Sequence, residues 1–306
     1  MKKLIFLLFF LFSTVCHAAN LNVVFAIDNN YPPYTMLMIY SIMKNNVSNQ
    51  NYTFWILEAD ISPENKEKMT NYVQSIGQEI KFIAVDSKYI ENWRKLYSTP
   101  EETDLSITHI TPISMARILI PELLPQDLDK ALYLDSDMLV TEDLKNLYDE
   151  DLGNFYAGMV KDESWNIDGY MNAGLILFNL PKWRENRTSR RMISYLNRHM
   201  EEFSCNQQPF WWKKGCYLYK DQDLMNLFLK NRVKVLDQRW NNEDIENEEV
   251  DLNTTKGIHH FIGGAINKPW NSQRSDPRKL WLHYWKEAPF YSEDALSPDI
   301  RDALSE

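Results

Sequence analysis

Three apolar runs, the first two each followed by a stretch of helical character, set the limits on what this chain can fold into. The first, Asn22-Val23-Val24-Phe25-Ala26-Ile27, has no polar alternation and is rich in β-branched and aromatic residues. That is the pattern of a strand covered on both faces. Pro33 suits a first helical turn, and residues 34–44 then carry a broad apolar face. Residues 52–57 read as a second strand, and Ser62-Pro63-Glu64 opens the helix after it. Residues 80–85 read as a third. Alternation at this spacing predicts an α/β fold with a parallel, doubly wound sheet, helices on both faces and right-handed crossovers. The first strand runs out into Asp28-Asn29-Asn30-Tyr31. Polar residues there lie at the carboxyl edge, where open α/β sheets collect ligands.

Beyond the third strand, residues 86–111 are polar and without period, as expected of an irregular loop near a ligand. Residues 112–124 read as a helix with Arg117 in its middle. Further strands are expected over 131–140, 154–160 and 171–180, the last interrupted by Asn172-Ala173-Gly174. Residues 181–200 suggest one long amphipathic helix with a solvated basic face. Residues 205–219 are rich in Trp and Lys with no clear period. A helix over 221–230 opens on Asp221-Gln222-Asp223, and the acidic run 243–251 reads as a surface loop. No repeat, low-complexity tract or linker divides the chain, so residues 19–306 are expected to form one catalytic domain.

The stretch Leu132-Tyr133-Leu134-Asp135-Ser136-Asp137-Met138-Leu139-Val140 carries the strongest chemical signal. On an extended backbone, alternation would set Asp135 and Asp137 on one side, about 6.5 Å apart. Two such carboxylates repel each other unless a cation joins them. Oxygen donors select a hard ion, Mn2+ or Mg2+, which can bridge the oxygens of a diphosphate. Asp-x-Asp is also an ordinary turn after a strand, so its company matters. That company includes His259-His260-Phe261-Ile262-Gly263-Gly264, followed by Lys268-Pro269-Trp270. An imidazole can complete the metal site, glycine amides can approach phosphate oxygens, and Lys268 can add a charge to them.

Residues 1–18 have the form of a secretory signal. Lys2 and Lys3 precede an apolar run over 4–12, and small residues precede Ala19. The run is short for a bilayer span. Export to a periplasm, a secretory lumen or the outside is therefore expected, with an uncleaved anchor at the cytoplasmic membrane face as the alternative. Removing Lys2 and Lys3 leaves 31 basic against 43 acidic residues, a formal net charge of −12. Such a balance argues against nucleic acid or an anionic membrane as a partner. No transmembrane helix is expected in the mature chain. Of three cysteines, Cys205 and Cys216 would remain, as one disulfide or as two free thiols.

Six pieces in order make the chain resemble the family 8 glycosyltransferases, retaining enzymes that include lipopolysaccharide galactosyl- and glucosyltransferases and glycogenin. The pieces are Phe25 to Tyr31, Met115-Ala116-Arg117, Leu132 to Asp137, Asn172-Ala173-Gly174 with Lys182-Trp183, Asp221-Gln222-Asp223, and His260 to Gly263 with Lys268-Pro269-Trp270. The resemblance implies a Rossmann-like, mostly parallel sheet of the glycosyltransferase-A type. It implies a UDP-glucose or UDP-galactose donor and a saccharide, glycolipid or protein acceptor. Asp28 and Asn30 would hydrogen-bond the uridine, with Tyr31 close by. Asp135, Asp137 and His260 would bind Mn2+, or Mg2+ in its place. Gly263 and Lys268 would contact the diphosphate. Arg117, Asn172 and Asp221 would hold the donor hexose together with Asp135, and Gln222 would lie beneath the anomeric carbon. Family members are thought to react by front-face displacement, the departing phosphate oxygen taking the acceptor's proton. Gln222 could then only position or stabilise, and Asp223 is the nearest carboxylate for a covalent route.

Plainer roles compete with these. Asp28 could cap the next helix, Asp221 could be an N-cap, Arg117 could lie on a helix surface, and Asn172 could satisfy a bulge. His259 reads as the outward neighbour of His260, and Trp211, Trp212, Tyr217 and Tyr219 as core. The spacing from His260 to Lys268 exceeds the lipopolysaccharide galactosyltransferase pattern by two residues. The acidic stretch after Tyr291 lacks that group's basic, aromatic tail, so attachment to membranes by that route is not expected. Two other functions fit the same residues: an exported transferase acting on a protein of another cell, and a UDP-sugar-binding protein without turnover.

Overall fold

The first strand, β1 (Leu21–Asp28), feeds α1 (Pro32–Lys44), whose entry Pro32 and Pro33 preset. β2 (Tyr52–Ala59) leads into α2 (Pro63–Ser75), where the Ser62 hydroxyl accepts from Asn65 N at 3.2 Å and Pro63 begins the first turn. β3 (Glu79–Ala84) and α3 (Ser87–Tyr97) complete this half. The computed structural model describes residues 20–97, 111–163, 167–204, 217, 219–243, 256–262, 268–271 and 276–290. Residues 1–18, Gly263, Cys205, Cys216, Trp211 and Trp212 lie outside them.

In the second half, a 3-10 helix over Pro112–Leu119 passes into α4 (Ile120–Leu123), then β4 (Lys130–Leu134), β5 (Met138–Val140) and α5 (Lys145–Tyr148). β6 (Ala157–Met159) and β7 (Leu175–Asn179) precede α6 (Leu180–Glu185), α7 (Thr188–Arg198) and α8 (Met200–Phe203). α9 (Asp221–Leu229), β8 (Val233–Val235), a 3-10 turn at Gln238–Asn241, β9 (Ile258–His260) and α10 (Asp276–Glu287) follow.

The main sheet has the order β3-β2-β1-β4-β7-β6-β8, and β5 pairs with β9 in a small second sheet. Successive strands step outward from β1 to β3, after which the chain returns to place β4 on the other side of β1. The strand order therefore reverses between β1 and β4, where α/β sheets open a crevice. β1 pairs parallel with β2 and with β4, through Val23↔Leu132 and Val24↔Tyr133. Asp28 and Asp135 consequently leave the sheet at the same edge.

Alternation along β1 sends Val23, Phe25 and Ile27 into one apolar layer with α1 and α2, and Val24 into the other with α3, the 3-10 helix, α7 and α9. Each fully buried Phe or Ile contributes about 1.5–3 kcal/mol by leaving water. The mostly parallel sheet flanked by helices is thus as expected, with one difference. β7 runs antiparallel to both β4 and β6, because β6 already ends at the carboxyl edge and the connection, bridged at Lys161 and Met171, starts β7 from that same edge. Two further expectations are corrected. Residues 87–97 are not irregular but form α3, whose Ile90, Trp93 and Leu96 are buried at helical spacing. The expected long helix over 181–200 is broken after α6, where Arg187 takes a left-handed φ of 49° and starts a new axis. Among the described residues no helix is long and apolar enough to cross a membrane.

Candidate active site

The Asp-x-Asp segment is a turn rather than the middle of a strand. β4 ends at Leu134 and β5 starts at Met138 in the other sheet, so Asp135 to Asp137 make the corner. Ser136 anchors that corner through its hydroxyl, 2.8 Å from Thr35 Oγ1 on α1. The pairing Met138↔His260 then brings β9 alongside, and Phe261 N donates to Asp137 O at 2.9 Å. Donor atoms of Asp135, Asp137 and His260 consequently lie within 4.8 Å of one another. Two carboxylates and an imidazole are a donor set that fits Mn2+ or Mg2+.

Gly174 makes this convergence possible. It has no side chain, and a Cβ there would meet His260 Cε1 at 2.5 Å and Met138 Cε at 2.8 Å. Gly257 performs a related task at the start of β9. Its φ of +126° and the Arg239 carbonyl 2.1 Å from where a Cβ would sit leave room for glycine alone.

His260 Nε2 is 3.3 Å from Asp137 Oδ1, and Lys268 Nζ donates to Asp137 Oδ2 and, at 2.9 Å, to Phe261 O. Burial opposes ionisation of Asp137, but Lys268 and His260 outweigh it and hold the carboxyl far below the usual carboxylate range. Burial likewise opposes charge on His260, yet Asp137 raises its pKa above the ordinary histidine value. Lys268, expected at a diphosphate, is thus buried against the metal-type carboxylate.

Arg117 is 6% exposed, so it is no surface residue of its helix. Its Nε lies 2.8 Å from Asp221 Oδ2, its Nη2 3.0 Å from Asp135 Oδ1, and its Nη1 donates to Ala173 O at 2.6 Å. The Tyr133 ring covers its guanidinium at 4.6 Å. Asp221 opens α9 at its first helical position, behind Lys220 at the N-cap, so it is a partner of Arg117 and not a cap. Burial and the nearby Asp135 raise its pKa although Arg117 pulls the other way. Gln222 is held by both ends of its amide. Oε1 accepts from Ala173 N at 2.8 Å, and Nε2 donates to Asp162 Oδ2 at 2.9 Å. Asp223 accepts from Tyr170 OH at 2.6 Å and from Tyr219 N at 2.7 Å. Burial pushes its pKa up to about 6 against these two donors.

Asn172 serves its bulge and its neighbours at once. Its Oδ1 accepts from Gly174 N at 2.7 Å, and its Nδ2 donates to Glu243 Oε1 at 2.8 Å. Asp28 accepts from Asn30 N at 2.9 Å, closing a turn, while Tyr31 leads into α1 with no side-chain cap, so Asp28 caps no helix. Asn30 is exposed. Tyr31 meets Tyr34 and Trp270 edge-on at 5.9 and 6.3 Å. Ala26, Tyr31, Ser114, Arg117, Asp135 and Asp137 line a cleft open to solvent.

His259 is not outward. It is 1% exposed, its Nε2 lies 3.2 Å from Thr141 Oγ1, and burial lowers its pKa to about 4. Tyr217 stacks on Phe203 at 4.4 Å, in keeping with core. Glu243, read as part of a surface loop, instead reaches into the site. Asp162, Asn241 and Glu243 escaped the sequence reading because isolated Asp, Asn and Glu carry no pattern until tertiary pairing gives them partners.

Comparison with known proteins adds an independent finding. The family model described as glycosyl transferase family 8 matches residues 22–274. General stress protein A of Bacillus subtilis is 24% identical, over 86% of this chain and 92% of its own. The lipopolysaccharide 1,2-glucosyltransferase of Escherichia coli is 25% identical, over 90% and 78%. Among solved structures, the galactosyltransferase LgtC in complex with donor and acceptor sugar analogs superposes with a TM-score of 0.68. It is 24% identical, over 90% of this chain and 98% of its own, and shares the fold.

Proposed function

The chain belongs to glycosyl transferase family 8, and on that premise we propose a retaining hexosyltransferase that moves glucose or galactose from a UDP-sugar to a saccharide or lipopolysaccharide-type acceptor. The observation that carries this reading is the convergence of Asp135, Asp137 and His260 within 4.8 Å at the edge where strand order reverses. These three residues would hold Mn2+, or Mg2+. Such an ion, when bound, neutralises charge developing on a diphosphate leaving group.

The remaining work belongs to the chain's own side chains. Asp28, which ends β1, and Asn30 and Tyr31 just beyond it would receive the nucleoside. Arg117, clamped between Asp135 and Asp221, presents a fixed guanidinium to the hexose at no cost of ordering during reaction. Asn172 extends that wall. Gln222 has its amide fixed at both ends, which suits a group that orients the anomeric centre. Both oxygens of Asp223 are engaged inside the protein, which favours front-face displacement over a covalent intermediate on that carboxylate. The charged start and apolar run of residues 1–18 support export of the enzyme.

The test is Asp137→Ala. If the carboxylate helps hold the metal, turnover falls roughly 10²-fold or more while the far-ultraviolet spectrum stays that of the folded chain, the unfolding midpoint dropping because Lys268 is left buried without its carboxylate. Near-normal activity would sink the metal assignment.

A further inference from the structure

Behind the metal-type triad lies a chain of hydrogen bonds through Asn241 and Glu243, which none of the motifs includes. Glu243 Oε1 accepts from Asn172 Nδ2 at 2.8 Å and from Asn241 Nδ2 at 3.0 Å. Asn241 is fully buried, and its Oδ1 lies 2.9 Å from His260 Nδ1. We propose that Asn241, locked by Glu243, is the positioning residue that makes His260 a metal ligand, and that the same carboxylate joins the donor-sugar wall to the metal site.

The chemistry leaves one arrangement. An ionised carboxylate only accepts, so the Asn241 group facing Glu243 must be its NH2. The amide oxygen therefore faces His260, and the nitrogen it meets must carry a hydrogen. Nδ1 of His260 is thus the protonated nitrogen, and Nε2, on the side of Asp137, is the one that can give a lone pair to a cation. Without Glu243, Asn241 could turn its amide over and present NH2 to Nδ1. The histidine would then keep its hydrogen on the nitrogen that should bind.

Backbone pairing holds the relay in register. His260 N donates to Asn242 O at 2.9 Å, and Asn242 N donates to Ile258 O at 2.8 Å. The residue after Asn241 is therefore tied to both ends of β9. At its other end, the Glu243 carboxylate takes the amide of Asn172, whose Oδ1 holds Gly174 N beneath the His260 ring. Asn172 is one of the residues assigned to the hexose, so sugar and metal sites share one acceptor. This inference rests on the metal reading above, and its test separates the two.

The experiment uses the full chain with Mn2+ as the probe, followed by electron paramagnetic resonance. Loss of a ligand-orienting partner weakens metal affinity about 10- to 100-fold, so Asn241→Leu should show that loss. The Asn241→Asp/Glu243→Gln double variant swaps donor and acceptor between the two positions. It keeps an oxygen on Nδ1 and should return to within about threefold of wild type, a rescue that a merely structural role would not give. A proton spectrum of the metal-free protein adds a readout independent of Mn2+. A slowly exchanging ring N–H, lost in His260→Gln, should be present in the wild type and the double variant and absent in Asn241→Leu. Equal Mn2+ affinity in wild type and Asn241→Leu, or failure of the double variant to recover, overturns the relay alone. A wild type that takes up no Mn2+ overturns the metal reading, and the protected N–H then decides whether Asn241 orients His260 at all.

Discussion

Adding a single methyl group at Gly174 is expected to damage the site without replacing a ligand. Gly174 lies directly after Ala173 and before β7, under the His260 ring. An alanine Cβ would come within 2.5 Å of His260 Cε1, 2.8 Å of Met138 Cε and 3.0 Å of Asn172 Oδ1. Ordinary contact needs about 1 Å more than the first of these, given optimal separations near 3.5–4.0 Å between carbons. Met138 can move its terminal methyl at little cost. His260 cannot swing freely, because it is 5% exposed and tied to Asn241 at 2.9 Å. Overpacking of this kind costs about 1–3 kcal/mol of stability. The larger consequence should be on the metal, since a ligand displaced by a good part of an ångström loses its aim. We expect Gly174→Ala to weaken Mn2+ binding about 10- to 100-fold while the chain still folds. Calorimetric titration with Mn2+, alongside urea unfolding, measures both effects. A variant with wild-type Mn2+ affinity and unchanged midpoint would refute the claim that the glycine is there to seat His260.

Arg117→Leu leaves the buried carboxylate of Asp221 facing the half-buried one of Asp135, so it should destabilise the chain by about 3–5 kcal/mol and lower its denaturant midpoint accordingly. Arg117→Lys keeps the charge but loses the fork, and its retained stability should be only partial. Asp223 gives a pH signature. Its pKa of about 6 in the fold stands above the ordinary carboxyl value of 3.8, so between these values the folded chain holds a proton that the unfolded chain has released. Stability from this group therefore falls as pH rises from about 4 to about 6, by about 3 kcal/mol for a shift of roughly two units. Unfolding of wild type and Asp223→Asn across that range should show the difference between them changing by that amount. A constant difference would show that Asp223 titrates normally.

The first half of the fold was legible because a strand covered on both faces has to be apolar throughout, as residues 22–27 and 52–57 are. The direction of β7 was not, since an apolar run such as Leu175 to Phe178 reads the same whichever way it points. α3 was hidden by its polar surface, although Ile90, Trp93 and Leu96 fall three residues apart. Nothing local announces the break at Arg187, where neither Gly nor Pro stands. α10 was passed over as well, though Leu280, Trp281, Tyr284 and Trp285 recur at helical spacing and close over Leu37 and Trp270. In the site, Asp135, Asp137 and His260 were recognisable because metal chemistry restricts residue type. Asp162, Asn241 and Glu243 work through partners distant in sequence, and amides or carboxylates of that kind occur on any surface. The Asp-x-Asp corner shows both sides of this: its chemistry was readable, but the turn between two sheets that presents it was not.

The most direct test is release of UDP from a panel of UDP-sugars by the chain lacking residues 1–18, with Mn2+ and then with chelator. The account predicts slow, Mn2+-dependent release from UDP-glucose or UDP-galactose even without an acceptor, abolished by the chelator. Absence of both release and Mn2+-dependent UDP binding, in a chain shown to be folded, would contradict it.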